Sequence, residues 1–168
     1  MATTNAKVLT FATRIDIPSD ARKELIDVLN QQLADSSDLF TQTKQAHWNV
    51  KGMDFMQLHL LFDDLAKIAR NHSDTIAERV GALGGLALGT ARLAAANSTL
   101  PEYPTDVVEG KDVTTLMAER WAAYAASTRA AIRRSGELDD PTTEDLFTEL
   151  SREIDESLYF IESHLQGK

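Results

Sequence analysis

The sequence predicts an all-α protein built around four long helices. Alanine, leucine and charged residues dominate the 168-residue chain, and runs of β-branched residues are few. Apolar residues recur at helical spacing in four long segments, and Gly or Pro residues punctuate the stretches between them. The second and third segments are separated by about 30 residues, more than a tight helix–helix turn requires. This length predicts a crossover that returns the chain to the end of the bundle where it started.

Length and composition favour a single domain that attracts cations. Apolar residues make up 43% of the chain, which is enough for a proper core, and there is no cysteine to form disulfides or thiolate metal sites. No apolar stretch resembles a signal peptide or reaches about 18 residues. We therefore expect a soluble cytoplasmic protein without membrane partners, with association with the nucleoid left open. The formal charge of −9 argues against general nucleic-acid binding.

The first half of the chain divides into an arm and two helices. Residues 1–17 lack a strong helical pattern and are predicted to form an N-terminal arm, whereas residues 18–168 form one bundle domain. The first helix begins after Pro18, with Ser19 as its N-cap, and runs to about Asn49. The second helix starts at Asp54 with Gln57 at the capping-box position, and it ends at a group of glycines, Gly81, Gly84 and Gly85.

The second half contains the crossover and two further helices. A short helix is predicted in the crossover from Thr90 to Asn97, before Pro101 and Pro104 keep the chain extended or turned. The third long helix is predicted from Asp112 or Val113 to about Ser135, where Gly136 stops it. The fourth starts at Asp140-Pro141-Thr142 and continues to the C-terminus. Four long helices with one long crossover after the second describe a ferritin-like four-helix bundle.

The second helix carries a polar stripe with the chemistry of a metal site. Taking His59 as zero on a helical wheel, Asp63 falls at about 40°, Asp74 at about 60° and Glu78 at about 100°. Histidine and carboxylate are ligands for borderline and hard metal ions. His59 and Asp74 are nevertheless roughly 22 Å apart along the helix. One metal ion therefore cannot bind at both ends of the stripe within one chain.

The spacing of the stripe suggests how its two ends meet. The pair Asp63 and Asp74 and the pair His59 and Glu78 share one midpoint, between residues 68 and 69. In an antiparallel copy related by a two-fold axis at that midpoint, Asp74 and Glu78 lie level with Asp63 and His59 of the first chain. This predicts a metal site that is shared across a homodimer interface and occurs twice per dimer.

Simpler interpretations of these residues stay open at this point. His59 alone is more often structural than a ligand, Asp63 beside Asp64 is compatible with solvated charge, and Asp74 and Glu78 are compatible with an ordinary acidic face. The whole stripe is also compatible with dimerisation alone. The chain has no Glu-x-x-His motif, so a di-iron centre inside one bundle is not expected. His47, at the end of the first helix, is placed to fold back towards the start of the second.

One run of residues resembles a known family. It comprises Lys44-Gln45-Ala46-His47-Trp48-Asn49-Val50-Lys51-Gly52, then His59 and Asp63, then Asp74-Thr75-Ile76-Ala77-Glu78-Arg79. The run resembles the Dps family, the DNA-binding proteins from starved cells, or mini-ferritins. The resemblance implies ferroxidase centres between two-fold-related subunits, with His47, His59 and Asp63 from one chain facing Asp74 and Glu78 from the other. Trp48 matches a tryptophan thought to donate an electron or absorb radical damage.

The resemblance also implies an activity and an assembly. The family forms hollow dodecamers that oxidise Fe(II), typically with hydrogen peroxide, and store iron as a ferric mineral, which limits hydroxyl-radical damage. Iron is then both substrate and cargo, with two ions envisaged per centre. By resemblance, the start of the fourth helix lines a three-fold pore, for which the acidic candidates are Asp140, Glu144, Asp145 and Glu149. Asp145 is the preferred candidate, because Asp140 suits a helix N-terminus equally well.

Two other functions remain as alternatives. Many Dps proteins bind DNA through lysine-rich tails, and a nucleoid-associated protein that protects DNA with little ferroxidase activity is the first alternative. The N-terminal arm carries only Lys7 and Arg14 as basic residues, and twelve copies would carry twelve times −9, or −108. We therefore expect DNA binding to be weak or absent. The second alternative is an adhesion or signalling protein of this fold, which would be expected to lack some of the five ligands.

Overall fold

The fold is a bundle of four long helices with one short helix in its crossover. The structure is a computed structural model and describes residues 9–167. Its helices are α1 (Ser19–Asn49), α2 (Phe55–Ala82), α3 (Ala91–Asn97), α4 (Gly110–Glu137) and α5 (Pro141–Ser163). Residues 9–167 contain no β-strand. The predicted all-α bundle, with a short helix between the second and third long helices, is confirmed.

The crossover carries the chain from the end of the bundle where α1 begins and α2 ends to the opposite end, at the α1–α2 turn. α1 packs mainly on α2 and α4 mainly on α5, while α1 against α4 joins the two halves. At the turn between α1 and α2, the Lys51 N–H donates a 2.8 Å hydrogen bond to the Val108 carbonyl. Lys51 also forms an isolated parallel bridge with Glu109. The start of α4 therefore lies beside the start of α2. The predicted long crossover is present, but it leads away from the end where α1 begins, because the antiparallel α2 has already returned the chain there.

The core separates the two faces of α2. Leu58, Phe62, Leu65 and Ile76 are buried at helical spacing, on a face centred about 130° from the stripe of His59, Asp63, Asp74 and Glu78. Burying one such side chain contributes roughly 1.5–3 kcal/mol. The largest fully buried side chains of the bundle are Trp121, Tyr124, Phe62, Phe147, Leu25, Leu29, Leu39, Leu65, Ile76, Leu83, Met117 and Ile154. Core packing thus fixes the rotation of α2 and turns the stripe away from the core.

Polar contacts hold the crossover against α1. The buried Asp35 carboxylate accepts hydrogen bonds from the Thr99 backbone N–H at 2.7 Å and from the Thr99 hydroxyl at 3.1 Å. Burial raises the pKa of Asp35, although the hydrogen bonds from Thr99 and Gln31 act in the opposite direction. Arg120, also buried, donates to the Gln42 side chain and the Glu102 carbonyl, each at 2.9 Å. The segment after α3 is therefore anchored along its length.

The described part of the N-terminal arm lies against the end of α2. The Phe11 N–H donates a 2.8 Å hydrogen bond to the Gly84 carbonyl. Gly84 has φ of +82°, and a Cβ at this position would lie 2.4 Å from the Phe11 carbonyl oxygen, so glycine is required. Arg22 donates to the carbonyls of Ile17 and Leu83, at 3.1 and 3.3 Å. Residues 1–8 of the predicted arm, including Lys7, lie outside the described residues.

Several predicted helix ends were wrong by a few residues. Ser19 lies inside α1, and the capping position is Pro18, which makes no side-chain cap. Asp54 is the N-cap of α2 but its side chain makes no capping hydrogen bond. α4 begins at Gly110, because the Glu109 side chain accepts a 3.1 Å hydrogen bond from the Asp112 N–H. Gly81 and Gly136 lie within helices that continue for one more residue.

The end of α5 and the exposure of two apolar residues of α2 differ from the sequence predictions. α5 ends at Ser163, before the C-terminus. Met56 and Leu60, which fit an apolar face of α2 by spacing, are both 56% exposed.

Within the part of the chain described, none of the helices combines the length and apolar character needed to cross a membrane.

Candidate metal centre

Two histidines meet where α1 ends and α2 begins. The His47 and His59 rings stack with centroids 3.8 Å apart and planes inclined by 20°. His47 Nδ1 lies 2.7 Å from the His59 carbonyl oxygen, and His59 Nδ1 lies 2.8 Å from the His47 carbonyl oxygen. A carbonyl oxygen only accepts, so Nδ1 carries the proton in both rings. This tautomer leaves the Nε2 atom of each ring as the one that can bind a metal ion.

Asp63 lies beside this histidine pair and is held by two lysines. One carboxylate oxygen, Oδ1, lies 3.9 Å from His47 Nε2 and accepts a 2.8 Å hydrogen bond from Lys44 Nζ. The other, Oδ2, lies 3.0 Å from Lys67 Nζ. Hydrogen bonds from Lys44 and then Lys67 lower the pKa of Asp63 to about 2. Asp63 is therefore ionised throughout the neutral pH range.

Trp48 occupies the outer edge of the same region. Its side chain is 61% exposed, although tryptophan is usually well buried. The Lys44 ammonium lies 5.6 Å from the centroid of the Trp48 ring. The end of α1 thus presents His47 inward and Trp48 outward, and Lys44 touches both Trp48 and the Asp63 carboxylate.

Asp74 and Glu78 lie on the other end of α2, away from this cluster. Both are exposed, and neither forms a salt bridge or side-chain hydrogen bond among residues 9–167. Within the same residues, no group of three or more His, Cys, Asp and Glu side chains is gathered to hold a metal ion. Within residues 9–167, one chain therefore places His47 against His59 and near Asp63 without completing a metal-binding cluster, and it leaves Asp74 and Glu78 at a distance.

Sequence comparison decides the family of this chain. A family described as a ferritin-like domain matches residues 26–167. A DNA protection during starvation protein from Agrobacterium fabrum is 45% identical over 159 residues, which cover 95% of this chain and 98% of the relative. This chain belongs to the Dps family.

Comparison of structures gives the same assignment. The Dps chain matches an archaeal Dps homologue from Halobacterium salinarum with a TM-score of 0.90 and 26% identity, covering 99% of this chain and 93% of the other. It matches DpsC from Streptomyces coelicolor with a TM-score of 0.90 and 32% identity, covering 95% and 94%. The resemblance of the His47–Glu78 region to Dps proteins is thus confirmed for the chain as a whole.

Lys44 and Lys67 are the residues of this Dps region that sequence reasoning missed. Both were visible in principle, because Lys44 opens the run that ends in His47 and Lys67 lies four residues after Asp63, on the same side of α2. Spacing alone does not reveal that both ammonium groups converge on one carboxylate. The Lys67 contact lies within α2, whereas the Lys44 contact depends on how α1 packs against α2.

The four pore candidates of this Dps chain, at the start of α5, differ in their burial and contacts. The buried Asp140 carboxylate accepts hydrogen bonds from the backbone N–H groups of Thr142 and Thr143, and it receives two from Arg79, at 2.8 and 3.0 Å. The Asp140 carboxylate therefore caps the N-terminus of α5, the role that its position at a helix start also suited. Glu144 is partly buried, against Gly136. Asp145 and Glu149 are exposed, and a pore lined by them stays a prediction.

Proposed function

We propose that this Dps protein is a ferroxidase and iron store, which oxidises Fe(II) preferentially with hydrogen peroxide and keeps the ferric product in a hollow dodecamer. The observation that carries the proposal is the division of the five candidate ligands into two groups on α1 and α2. His47, His59 and Asp63 form one group, and the exposed Asp74 and Glu78 form the other. Their matched spacing about one midpoint lets a second chain complete each centre.

The exposed apolar residues of α2 support the same two-fold pairing. Leu60 and Met56 lie on the stripe, and both are more than half exposed in the single chain. About the midpoint between residues 68 and 69, Leu60 faces the partner's Ala77 and Met56 faces the partner's Gly81. A large side chain is thus opposite a small one at both positions, and the space around Gly81 is open. Such complementarity is what a close-packed helix interface requires.

The ligand chemistry suits iron oxidation. Two imidazoles and three carboxylates bind Fe(II) without sulfur, and the carboxylates, as hard anionic ligands, favour the Fe(III) product. The proposed reaction takes one electron from each of two Fe(II) ions and breaks the O–O bond of one peroxide. With two protons it yields two Fe(III) ions and two water molecules. Because both electrons reach the same peroxide, no hydroxyl radical is released.

Iron supply follows from charge. The chain carries −9, and the exposed Asp145 and Glu149 lie one turn apart near the start of α5. Rings of such carboxylates around a three-fold axis would concentrate cations at an entrance to the cavity. The cytoplasm is the proposed location of this activity, where ferrous iron and peroxide meet.

The test is anaerobic loading with Fe(II) followed by peroxide, with ferric absorbance and peroxide consumption recorded together. Wild-type protein is expected to consume about one peroxide per two Fe(II), much faster than buffer. The Asp74→Ala/Glu78→Ala variant is expected to lose this fast phase, because both carboxylates of the second group are removed. The matched control is Asp112→Ala/Glu119→Ala, which removes two exposed carboxylates from α4. Wild-type oxidation no faster than buffer would refute the proposal.

A second function, DNA protection, is favoured by the names of relatives such as the Agrobacterium and Halobacterium proteins. We expect weak or no DNA binding by the present chain at physiological salt. A dodecamer would carry −108, twelve times −9, and phosphate repulsion then dominates. The measurement is a gel shift with plasmid DNA at about 150 mM salt. Stoichiometric retention of the plasmid under these conditions would contradict the expectation and move DNA protection ahead.

A further inference from the structure

The stripe on α2 contains a third matched pair, and it is basic. Lys67 and Arg70 share the midpoint of the two ligand pairs, between residues 68 and 69. On the helical wheel with His59 at zero they fall at about 80° and about 20°, inside the sector that the ligands occupy. Read outward from the centre, each half of the stripe therefore has one cation followed by two candidate ligands.

Lys67 is already paired with a candidate ligand in the single chain. Its ammonium lies 3.0 Å from Asp63 Oδ2 and 2.8 Å from Asp64 Oδ1. Lys44 Nζ lies 2.8 Å from Asp63 Oδ1, so each oxygen of the Asp63 carboxylate is paired with one ammonium group. A metal ion that binds Asp63 must displace at least one of them.

Arg70 becomes part of this arrangement only in the dimer. It is exposed and forms no salt bridge within residues 9–167. In the two-fold pairing it lies level with the partner's Lys67, so two like charges face each other at the axis. Repulsion between them pushes Lys67 towards Asp63, while Arg70 lies four residues from Asp74 on the same face.

Charge counting gives the arrangement a purpose. Each shared centre gathers three carboxylates, from Asp63 and from the partner's Asp74 and Glu78. Three cations are within reach, namely Lys44, Lys67 and the partner's Arg70. Without metal, three carboxylates in a closed interface would repel one another, which is costly when water is excluded. Three cations balance that charge.

We propose that Lys67 and Arg70 act as counter-ions of the metal-free centre. Lys67 moves away from Asp63 when a divalent cation binds there. The inference rests on the proposed function, since it requires the interface site. The counter-ions stabilise the metal-free interface and lower the affinity for the first metal ion. They also disfavour monovalent cations, because a single charge gains no more from Asp63 than the ammonium it displaces.

The test uses Zn(II), a redox-inert probe, in titration calorimetry on the metal-free assembly. Lys67→Gln is expected to bind Zn(II) about three- to fivefold more tightly, because the competing ammonium is gone and an exposed ion pair contributes up to about that factor. Its metal-free assembly is expected to dissociate at a lower urea concentration, and Zn(II) should reverse that loss. Lys67→Arg keeps the charge and should bind Zn(II) within about twofold of wild type. Lys111→Gln is the control for the change in net charge.

Three outcomes separate this inference from the proposed function. Equal or weaker Zn(II) binding by Lys67→Gln would overturn the inference, provided that Asp74→Ala/Glu78→Ala has lost binding. If that double variant binds Zn(II) like wild type, the shared site itself is wrong and the proposed function fails with it. If Lys67→Gln does not assemble without metal, Zn(II) must restore assembly, and failure to do so would overturn the inference.

Discussion

Two inactive variants of this Dps protein should restore iron oxidation when they are expressed together. The first variant, His59→Ala/Asp63→Ala, lacks the ligands of one group, and the second, Asp74→Ala/Glu78→Ala, lacks those of the other. Each alone is expected to oxidise Fe(II) with peroxide at least tenfold more slowly than wild type, because every centre in its assembly is incomplete. The measurement is ferric absorbance after anaerobic Fe(II) loading and peroxide addition.

Recovery follows from the geometry of a shared site. In a mixed dimer, one centre combines both damaged groups, and the other combines His59 and Asp63 of the second variant with Asp74 and Glu78 of the first. That second centre is intact. If the variants pair at random, half of the dimers are mixed and each has one active centre of two. About a quarter of wild-type activity is therefore expected.

The control is to mix the two variants after each has assembled separately, which should give no recovery unless subunits exchange. A fully active assembly of His59→Ala/Asp63→Ala would support the simpler interpretation of the stripe as a dimer contact. Two inactive variants that fail to recover on co-expression, although mixed dimers form, would place the oxidation site within one chain.

The fold could be predicted from sequence because its signals are local. The helical repeat of residues such as Leu58, Phe62 and Leu65 marks the buried side of α2, and the length of the connection after α2 predicted a crossover in place of a tight turn. The ends of helices were harder, because caps depend on particular hydrogen bonds. Glu109 caps α4 three residues before the predicted start at Asp112, a contact that helical periodicity does not encode.

The candidate site could be predicted only in part. The common stripe of His59, Asp63, Asp74 and Glu78 follows from helix geometry and was available from numbering alone. The reciprocal hydrogen bonds of His47 and His59, which fix both tautomers, depend on how the end of α1 meets α2. The contact between Lys44 and Asp63 has the same origin, whereas Lys67 and Asp63 are four residues apart on one face of α2. Contacts between helices are long-range in sequence, so no local pattern reports them.

Replacing Arg79 with methionine should destabilise the protein by about 3–5 kcal/mol, because it leaves the buried Asp140 carboxylate without a cation. Arg79 donates two hydrogen bonds to Asp140 and one to the Thr143 hydroxyl, at 2.9 Å. These contacts tie the end of α2 to the start of α5. The measurement is urea unfolding at pH 7, followed by the loss of helical circular dichroism.

The stability of the protein at acid pH tests the same Arg79–Asp140 pair. Burial alone would raise the pKa of Asp140, but hydrogen bonds from Thr143 and Arg79 outweigh it and hold the pKa below its usual 3.8. The folded state therefore gains stability from ionised Asp140 above about pH 4 and loses it as the pH falls further. The difference in the free energy of unfolding between wild type and Arg79→Met should be largest at pH 7 and should shrink below pH 4.

Two further variants distinguish an uncompensated charge from lost packing. Arg79→Met/Asp140→Asn removes the charge but keeps a side-chain acceptor for capping α5, so it should regain part of the lost stability. Arg134→Met removes an arginine whose partners, Glu24 and Glu137, are exposed, and it should change stability little. Equal losses in the single and double variants would show that Arg79 acts through packing. Because Arg79 directly follows Glu78, the buried pair would then not account for how the end of α2 is held in the position that the proposed shared centre requires.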